Sequence, residues 1–305
     1  MKNTSDSLVA PADSPKTGPI YALFAYGTWG LLPIYWKAFG QIPALEVLSH
    51  RIIWSMLFLS GLLIAQHRQA EFALLWRSPK RVAVLFLTAS LLAFNWGLYI
   101  YAVNADHVVE TSLGYFINPL VNVLFGFLFL KERLNRWQTV AVGLAVVGVA
   151  NFVWQFGAVP WIALFLAFSF ASYGLLRKVV PVAPMVGLAM ETLLITPLAL
   201  AIVGYWTVTG IGHFGDTTPM TLLFIGAGVA TSLPLLWFNN AAKRMSLSTL
   251  GFFQYLAPSI QLVLGVFLYR EPFTSTHLIT FGCIWLALLI YSTSSLLQQR
   301  SRVSA

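Results

Sequence analysis

Charge is what this chain has least of: 9% of its 305 residues are Asp, Glu, Lys or Arg, against about 25% in a soluble domain. So little polar surface cannot coat a water-soluble globule of this length, and 58% of the residues are hydrophobic. The membrane class follows before any motif is read. Cysteine is almost missing as well. The single Cys283 lies in an apolar run, which excludes a disulfide framework and makes it a small core residue. Catalytic signatures are also missing. There is no HExxH, no His/Cys ligand pair and no phosphate-cradling glycine loop, and His50, His67, His107, His213 and His277 are scattered. No spacing places a nucleophile and a base at one membrane depth, so neither an enzyme nor a cofactor or metal is expected. The net charge of +8 does not point to nucleic acid, because the basic residues sit in short clusters between apolar runs.

What the chain has in abundance is apolar runs. A spanning helix needs roughly 20 mostly apolar residues, and ten segments qualify: 20–38, 45–66, 82–103, 109–130, 137–155, 161–178, 184–206, 219–241, 247–269 and 277–297. They lack the period-2 alternation of a membrane barrel, so the expected class is an all-α integral membrane protein. The first 19 residues are polar, with no short apolar core before a small-residue cleavage site; a disordered cytoplasmic tail is expected there, and a cytoplasmic tail at 298–305. With the N-terminus in the cytoplasm, fifteen of the 18 Lys and Arg residues fall on the cytoplasmic side. Lys37 and Arg270 fall on the other side, and Arg51 lies within a span. So strong a bias favours ten spans with both termini cytoplasmic.

The stretch SLGYFINPLVNVLFGFLFLKE, 112–132, is written a second time as TLGFFQYLAPSIQLVLGVFLYRE, 249–271. Leu113-Gly114 matches Leu250-Gly251, Pro119 matches Pro258, Asn122 matches Gln261, Gly126 matches Gly265, and Lys131-Glu132 matches Arg270-Glu271. The repeating unit is then five helices, 20–155 and again 156–297. Five is odd, so the second copy enters the membrane from the opposite side. Inverted repeats of this kind underlie alternating access, in which two similar halves exchange conformations around one site.

These features resemble the EamA family of the drug/metabolite transporter superfamily, and its RarD type in particular. The resemblance rests on LGYFINPL…FLKER, LSHRIIWS (48–55), LAFSFASYGLLRK (166–178) and STLGFFQYLAPS (248–259), and it covers nearly all the chain beyond residue 19. It implies a permease of the bacterial inner membrane, of a type associated with chloramphenicol. Outward direction and coupling to protons are implied by the resemblance alone.

Charge inside a span costs at least ~2.5 kcal/mol by insertion scales and tends to line a cavity or an ion path. Arg51 in the second span and Glu191 in the seventh are the two instances. At 1.5 Å per residue they approach the midplane from opposite faces, roughly 9 and 10 Å deep. Arg51 suits an anionic or polar substrate; its alternative is snorkelling, or a pair with Asp106 or Glu110. Glu191 suits a cationic group or a coupling proton; its alternative is a hydrogen-bonded core residue. His50, about 100° around the helix from Arg51, is expected to pack between helices.

Polar stripes add Tyr115, Asn118 and Asn122 on one helix face, Gln254, Pro258 and Gln261 on another, and Asn95 with Tyr99 on a third. Trp54 completes the set of candidates for a cavity that takes an amphipathic organic molecule. The competing role for each amide is a hydrogen bond between helices. Pro119 and Pro258 are expected to bend their helices, and Gly126 and Gly265 to let helices come close, as static kinks or as gate elements. The expected partners are a small-molecule substrate, the lipid bilayer and a proton. A passive facilitator, or a receptor that transports nothing, would suit the same spans.

Overall fold

The computed structural model describes residues 17–130, 135–244 and 253–303, and these are helical wherever they are regular; no strand occurs among them. Residues 1–16, the Lys131-Glu132 pair and Leu250-Gly251 lie outside that set, while residues 298–303, expected as a tail, continue the last helix. Helices α1 (Thr17–Lys37), α2 (Ala44–Ala65), α3 (Gln69–Leu75), α4 (Pro79–Asn104), α5 (Val108–Leu130) and α6 (Arg136–Phe156) are followed by α7 (Trp161–Val179), α8 (Pro184–Thr209) and α9 (Thr218–Arg244). The chain ends with α10 (Leu256–Val263), which runs on as a π-turn over Leu264–Leu268, and α11 (Ser275–Val303). The short α3, in the link after α2, has no counterpart in the sequence reading.

Among the described residues, five helices are long and apolar enough to cross a membrane: 44–65, 79–104, 136–155, 185–209 and 218–238, with shorter apolar helices at 161–177, 256–268 and 275–291. Inside a bilayer only a helix or a closed barrel can satisfy every backbone N–H and C=O, which is why long apolar runs become helices. Their outward faces are what water would reject: Val208 is 89% exposed, Trp154 86% and Phe267 78%. A monomeric soluble protein does not display apolar surface on that scale. The molecule is a multi-pass membrane protein.

Local chemistry sets the breaks. Pro79 and Pro184 open α4 and α8, where a missing N–H costs nothing. Gly157 and Gly210 close α6 and α8 in the left-handed conformation, at φ 63° and 71°. Asn135 caps α6 through a reciprocal pair: its side chain accepts from the Gln138 N–H, and its own N–H donates to Gln138 Oε1. The Asn135 side chain also donates to Ser294 Oγ of α11 at 2.7 Å. Asn135→Ala is therefore expected to lower stability by about 1–2 kcal/mol, read as a fall in thermal midpoint of the purified protein. No shift would mean that water replaces the cap at no cost.

Packing joins the first half of the chain to the second. Helix α1 lies on α9 and α10, α2 on α8 and α9, α4 on α7 and α8, α5 on α7 and α10, and α6 on α11. Several of these contacts need glycine. A Cβ on Gly228 of α9 would stand 2.4 Å from the backbone of Trp54 in α2, and one on Gly30 of α1 would stand 2.7 Å from Ile260 of α10. One on Gly265 would stand 2.9 Å from Val109 at the start of α5.

Candidate functional site

Where these contacts converge, a cleft with about 690 Å³ of empty space opens between the halves. Its walls are largely aromatic. Tyr26, Trp29 and Trp36 come from α1, Trp96 and Tyr99 from α4, and Tyr115 from α5. The second half supplies Phe170 of α7, Thr231 and Leu235 of α9, and Pro258 and Gln261 of α10, with Gln254 just before it. A concave site lined by rings and a few polar groups suits a small organic ligand.

Arg51 supplies the cleft's charge. Its side chain comes from α2 and is 4% exposed. The guanidinium carbon lies 3.8 Å from the ring centroid of Trp96 and 5.1 Å from that of Trp36. No aspartate or glutamate is among the described residues that line the cleft. Arg51 Nε, the Tyr99 hydroxyl and Trp36 Nε1 are buried without a hydrogen-bond partner among the described residues. A buried unpaired ion carries a penalty of several kcal/mol. Two ring faces return about 2 kcal/mol at a desolvated site, so a deficit is left. The alternative partners expected for Arg51 are engaged elsewhere: Asp106 pairs with Lys37, and Glu110 lies 3.6 Å from His107.

Glu191 is placed apart from this charge. It lines a second, smaller cleft with Ser55, Thr192 and Ile195, and Trp96 lines both. Its carboxylate is already served. Thr88 donates to Oε1 at 2.7 Å, the Tyr173 hydroxyl lies 3.5 Å from Oε2, and Arg177 Nε lies 3.5 Å from Oε1. Sequence reasoning counted Arg177, at the end of the 161–178 run, among the cytoplasmic charges and missed this pair. The signal was there: only residues 180–183 separate α7 from α8, which keeps Arg177 and Glu191 close along the chain.

The amides divide. Gln261 donates to the Trp29 carbonyl at 3.1 Å and leaves its own Oε1 unpartnered at the cleft wall. Gln254 reaches the cleft and donates to Asn118 Oδ1 at 3.0 Å. Asn118 turns away, donating to the Ala167 carbonyl of α7, and Asn95 donates to the Leu166 carbonyl and Ser169 Oγ. Both amides act as links between helices. Trp54 packs beside Phe214 and against Gly228, outside the central cleft. His50 lies between the rings of Phe214 and Phe224. Pro119, Asn122 and Gly126 fall within α5, but their side chains lie outside the described set. The helical run around Pro258 is interrupted at Tyr255, just after Gln254, the residue whose carbonyl loses its i+4 donor to proline.

Beyond the cleft, polar ties gather at the bundle end where α1 stops and α2 and α5 start. Lys37 pairs with Asp106 and stands 4.5 Å over the Tyr269 ring. Glu46, buried in the first turn of α2, accepts from the His213 N–H at 2.6 Å and lies 2.7 Å from His213 Nδ1. Glu271 accepts from the N–H groups of Val108 and Val109 at 2.9 and 2.7 Å. This carboxylate caps a helix of the other half, the α5 helix that carries SLGYF, and Gly265 lets the two segments close. Arg270, at φ 55°, turns the chain so that Glu271 faces inward. Burial pushes the Glu271 carboxyl up from its ordinary range, against the pull of the Val109 and Val108 N–H groups.

Known proteins resemble this chain along nearly all of its length. Residues 16–154 match the EamA-like transporter family. An uncharacterized transporter, YojE, of Bacillus subtilis is 45% identical over 95% of this chain and 98% of its own length. Protein RarD of Salmonella typhi is 44% identical over 95% of this chain and 99% of its own. The chloramphenicol-sensitive protein RarD of Pseudomonas aeruginosa is 30% identical over 93% and 97%. A solved crystal structure covering 91% of this chain and 98% of its own superposes at a TM-score of 0.60 with 16% identity, which is a likeness of fold.

Proposed function

This chain belongs to the EamA-like transporter family, alongside the RarD proteins, and on that premise we propose that it exports small amphipathic molecules across the bacterial inner membrane by alternating access. The observation that carries the proposal is the central cleft, whose walls come from both halves of the chain and hold one buried charge among rings. In this reading ten spans form two inverted units, 20–155 and 156–297, with both termini cytoplasmic. The packing supports it. Exchanging the halves turns α1 on α9 into α7 on α4, α1 on α10 into α7 on α5, and α2 on α9 into α8 on α4, and all of these contacts occur. A pseudo-two-fold axis produces that pairing, and a bundle without one has no reason to.

The same orientation puts the ties of Lys37, Glu46 and Glu271 at the outer end, as a closed outer gate. Chloramphenicol-type drugs belong in the substrate panel because one relative's name refers to that drug. Glu191 is the group a coupling proton would reach. Flux of a metabolite and drug panel into liposomes, with and without an imposed pH gradient, tests all of this. Gradient-driven flux is expected. Flux indifferent to the gradient would make the protein a passive facilitator, and no flux of any solute would favour a receptor.

The gate gives a separate test. Glu271→Gln removes the charge that caps α5 while keeping the shape. With Cys283→Ala as background and Thr231→Cys as reporter in the cleft wall, a membrane-impermeant maleimide added outside is expected to react several-fold faster in Glu271→Gln. Because burial raises the Glu271 carboxyl, lowering the outer pH should neutralise it earlier than an ordinary carboxylate and loosen the same gate. The rate is normalised to a surface cysteine. Equal rates in both proteins would place the gate elsewhere.

A further inference from the structure

We propose that the cleft selects a monoanion: a single carboxylate attached to a flat apolar body. This rests on the transport reading for its purpose but on the geometry of Arg51 for its chemistry. Arg51 is 4% exposed, and its guanidinium carbon stands 3.8 Å over the centre of the Trp96 ring, so one side of the group is covered. That leaves the N–H edge in the guanidinium plane, where a carboxylate binds with two parallel hydrogen bonds. Arg51 Nε and the Tyr99 hydroxyl are buried donors without a partner among the described residues, and a carboxylate brings the acceptors both require.

The charge count limits the ligand further. Arg51 is the only Lys, Arg or His among the described lining residues, and no Asp or Glu lines the cleft with it. A phosphate monoester, at close to two negative charges near neutral pH, would be left half neutralised. A cation would meet a buried like charge. Glu191, the other charge that the sequence places inside a span, lines a different cleft and is matched by Arg177, so it offers nothing to an ammonium group on the ligand. The aromatic walls then fit a planar or apolar body, since rings prefer offset or edge-on contact with other rings.

Three probes differing only at the head group test this: 3-phenylpropanoate, 3-phenylpropanamide and 3-phenylpropylamine, titrated against the purified full-length protein in nanodiscs at neutral pH by calorimetry. The carboxylate is expected to bind at least tenfold more tightly than the amide, about 1.4 kcal/mol, and the amine not at all. Arg51→Gln should abolish the preference. Arg51→Lys, which keeps the charge but not the planar fork, should keep part of it and guards against a misfolded Gln variant. Arg68→Gln, which removes a surface charge paired with Glu71, should leave the preference intact. Equal binding of carboxylate and amide, preference for the amine, no binding of any probe, or a preference that survives Arg51→Gln would each overturn the proposal. Flux measured separately keeps the two readings apart. Carboxylate binding without flux removes transport and leaves this inference, while flux with no head-group preference does the reverse.

Discussion

Gly114→Ala should destabilise the protein by about 3 kcal/mol, the upper end of what overpacking costs. The added Cβ would stand 2.7 Å from the Ala163 carbonyl oxygen and 2.9 Å from its Cα, all backbone of α7. No side chain can rotate to make room, so α5 and α7 must part along the seam where Asn118 reaches the Ala167 carbonyl. Without a hydrophobic force between helices in lipid, such seams depend on close contact, and separation loses both packing and hydrogen bonds. Gly143→Ala is the control. A Cβ there would meet nothing within 4 Å, and the expected loss is small. Thermal unfolding of both variants by detection of the monodisperse fraction measures the contrast. At roughly 2–4 °C per kcal/mol for domains of 150–250 residues, Gly114→Ala should fall by about 6–12 °C. A fall no larger than that of Gly143→Ala would mean the helices reseat without cost.

That glycine begins the twice-written stretch, and the way the stretch was legible is instructive. Long apolar runs announce helices because backbone satisfaction in lipid leaves no other open structure, and helix bounds from Ala44 to Ala65 or Val108 to Leu130 lie close to those read from hydropathy. Arg51 was conspicuous for the same reason: one charge in an apolar run has a large signal. Partners were not legible, because they are tertiary. Tyr115 and Asn118 share a face by spacing, yet Tyr115 meets the cleft and Asn118 a carbonyl of α7. Periodicity fixes which residues share a face but not what that face meets. The acid that ends the repeat looked like a loop charge, whereas Glu271 caps α5 from the other half. No spacing rule predicts a cap supplied across a bundle. The π-turn over Leu264–Leu268 had no sequence signal either.

The largest electrostatic effect is expected from Arg177→Met. Glu191 has a side chain 2% exposed, and Arg177 is the cation beside it. Removing the cation leaves a buried carboxylate held by Thr88 at 2.7 Å and by the more distant Tyr173. Breaking a buried pair in this way costs about 3–5 kcal/mol. The reverse change, Glu191→Gln, is expected to cost less, about 1–3 kcal/mol. The amide still accepts from Thr88, and Arg177, at 14% side-chain exposure near the end of α7, can turn toward solvent. The double variant should then be more stable than Arg177→Met alone, because the stranded charge is gone. A coupling energy of about 0.5–3 kcal/mol between the two sites would establish the pair, and additive losses would refute it. The same proteins separate the two roles open to Glu191. If it carries the coupling proton, Glu191→Gln abolishes the dependence of flux on the pH gradient while the carboxylate probe still binds at Arg51. If its role is to hold α8 to α4 and α7, stability falls, gradient dependence survives, and the double variant recovers both stability and flux.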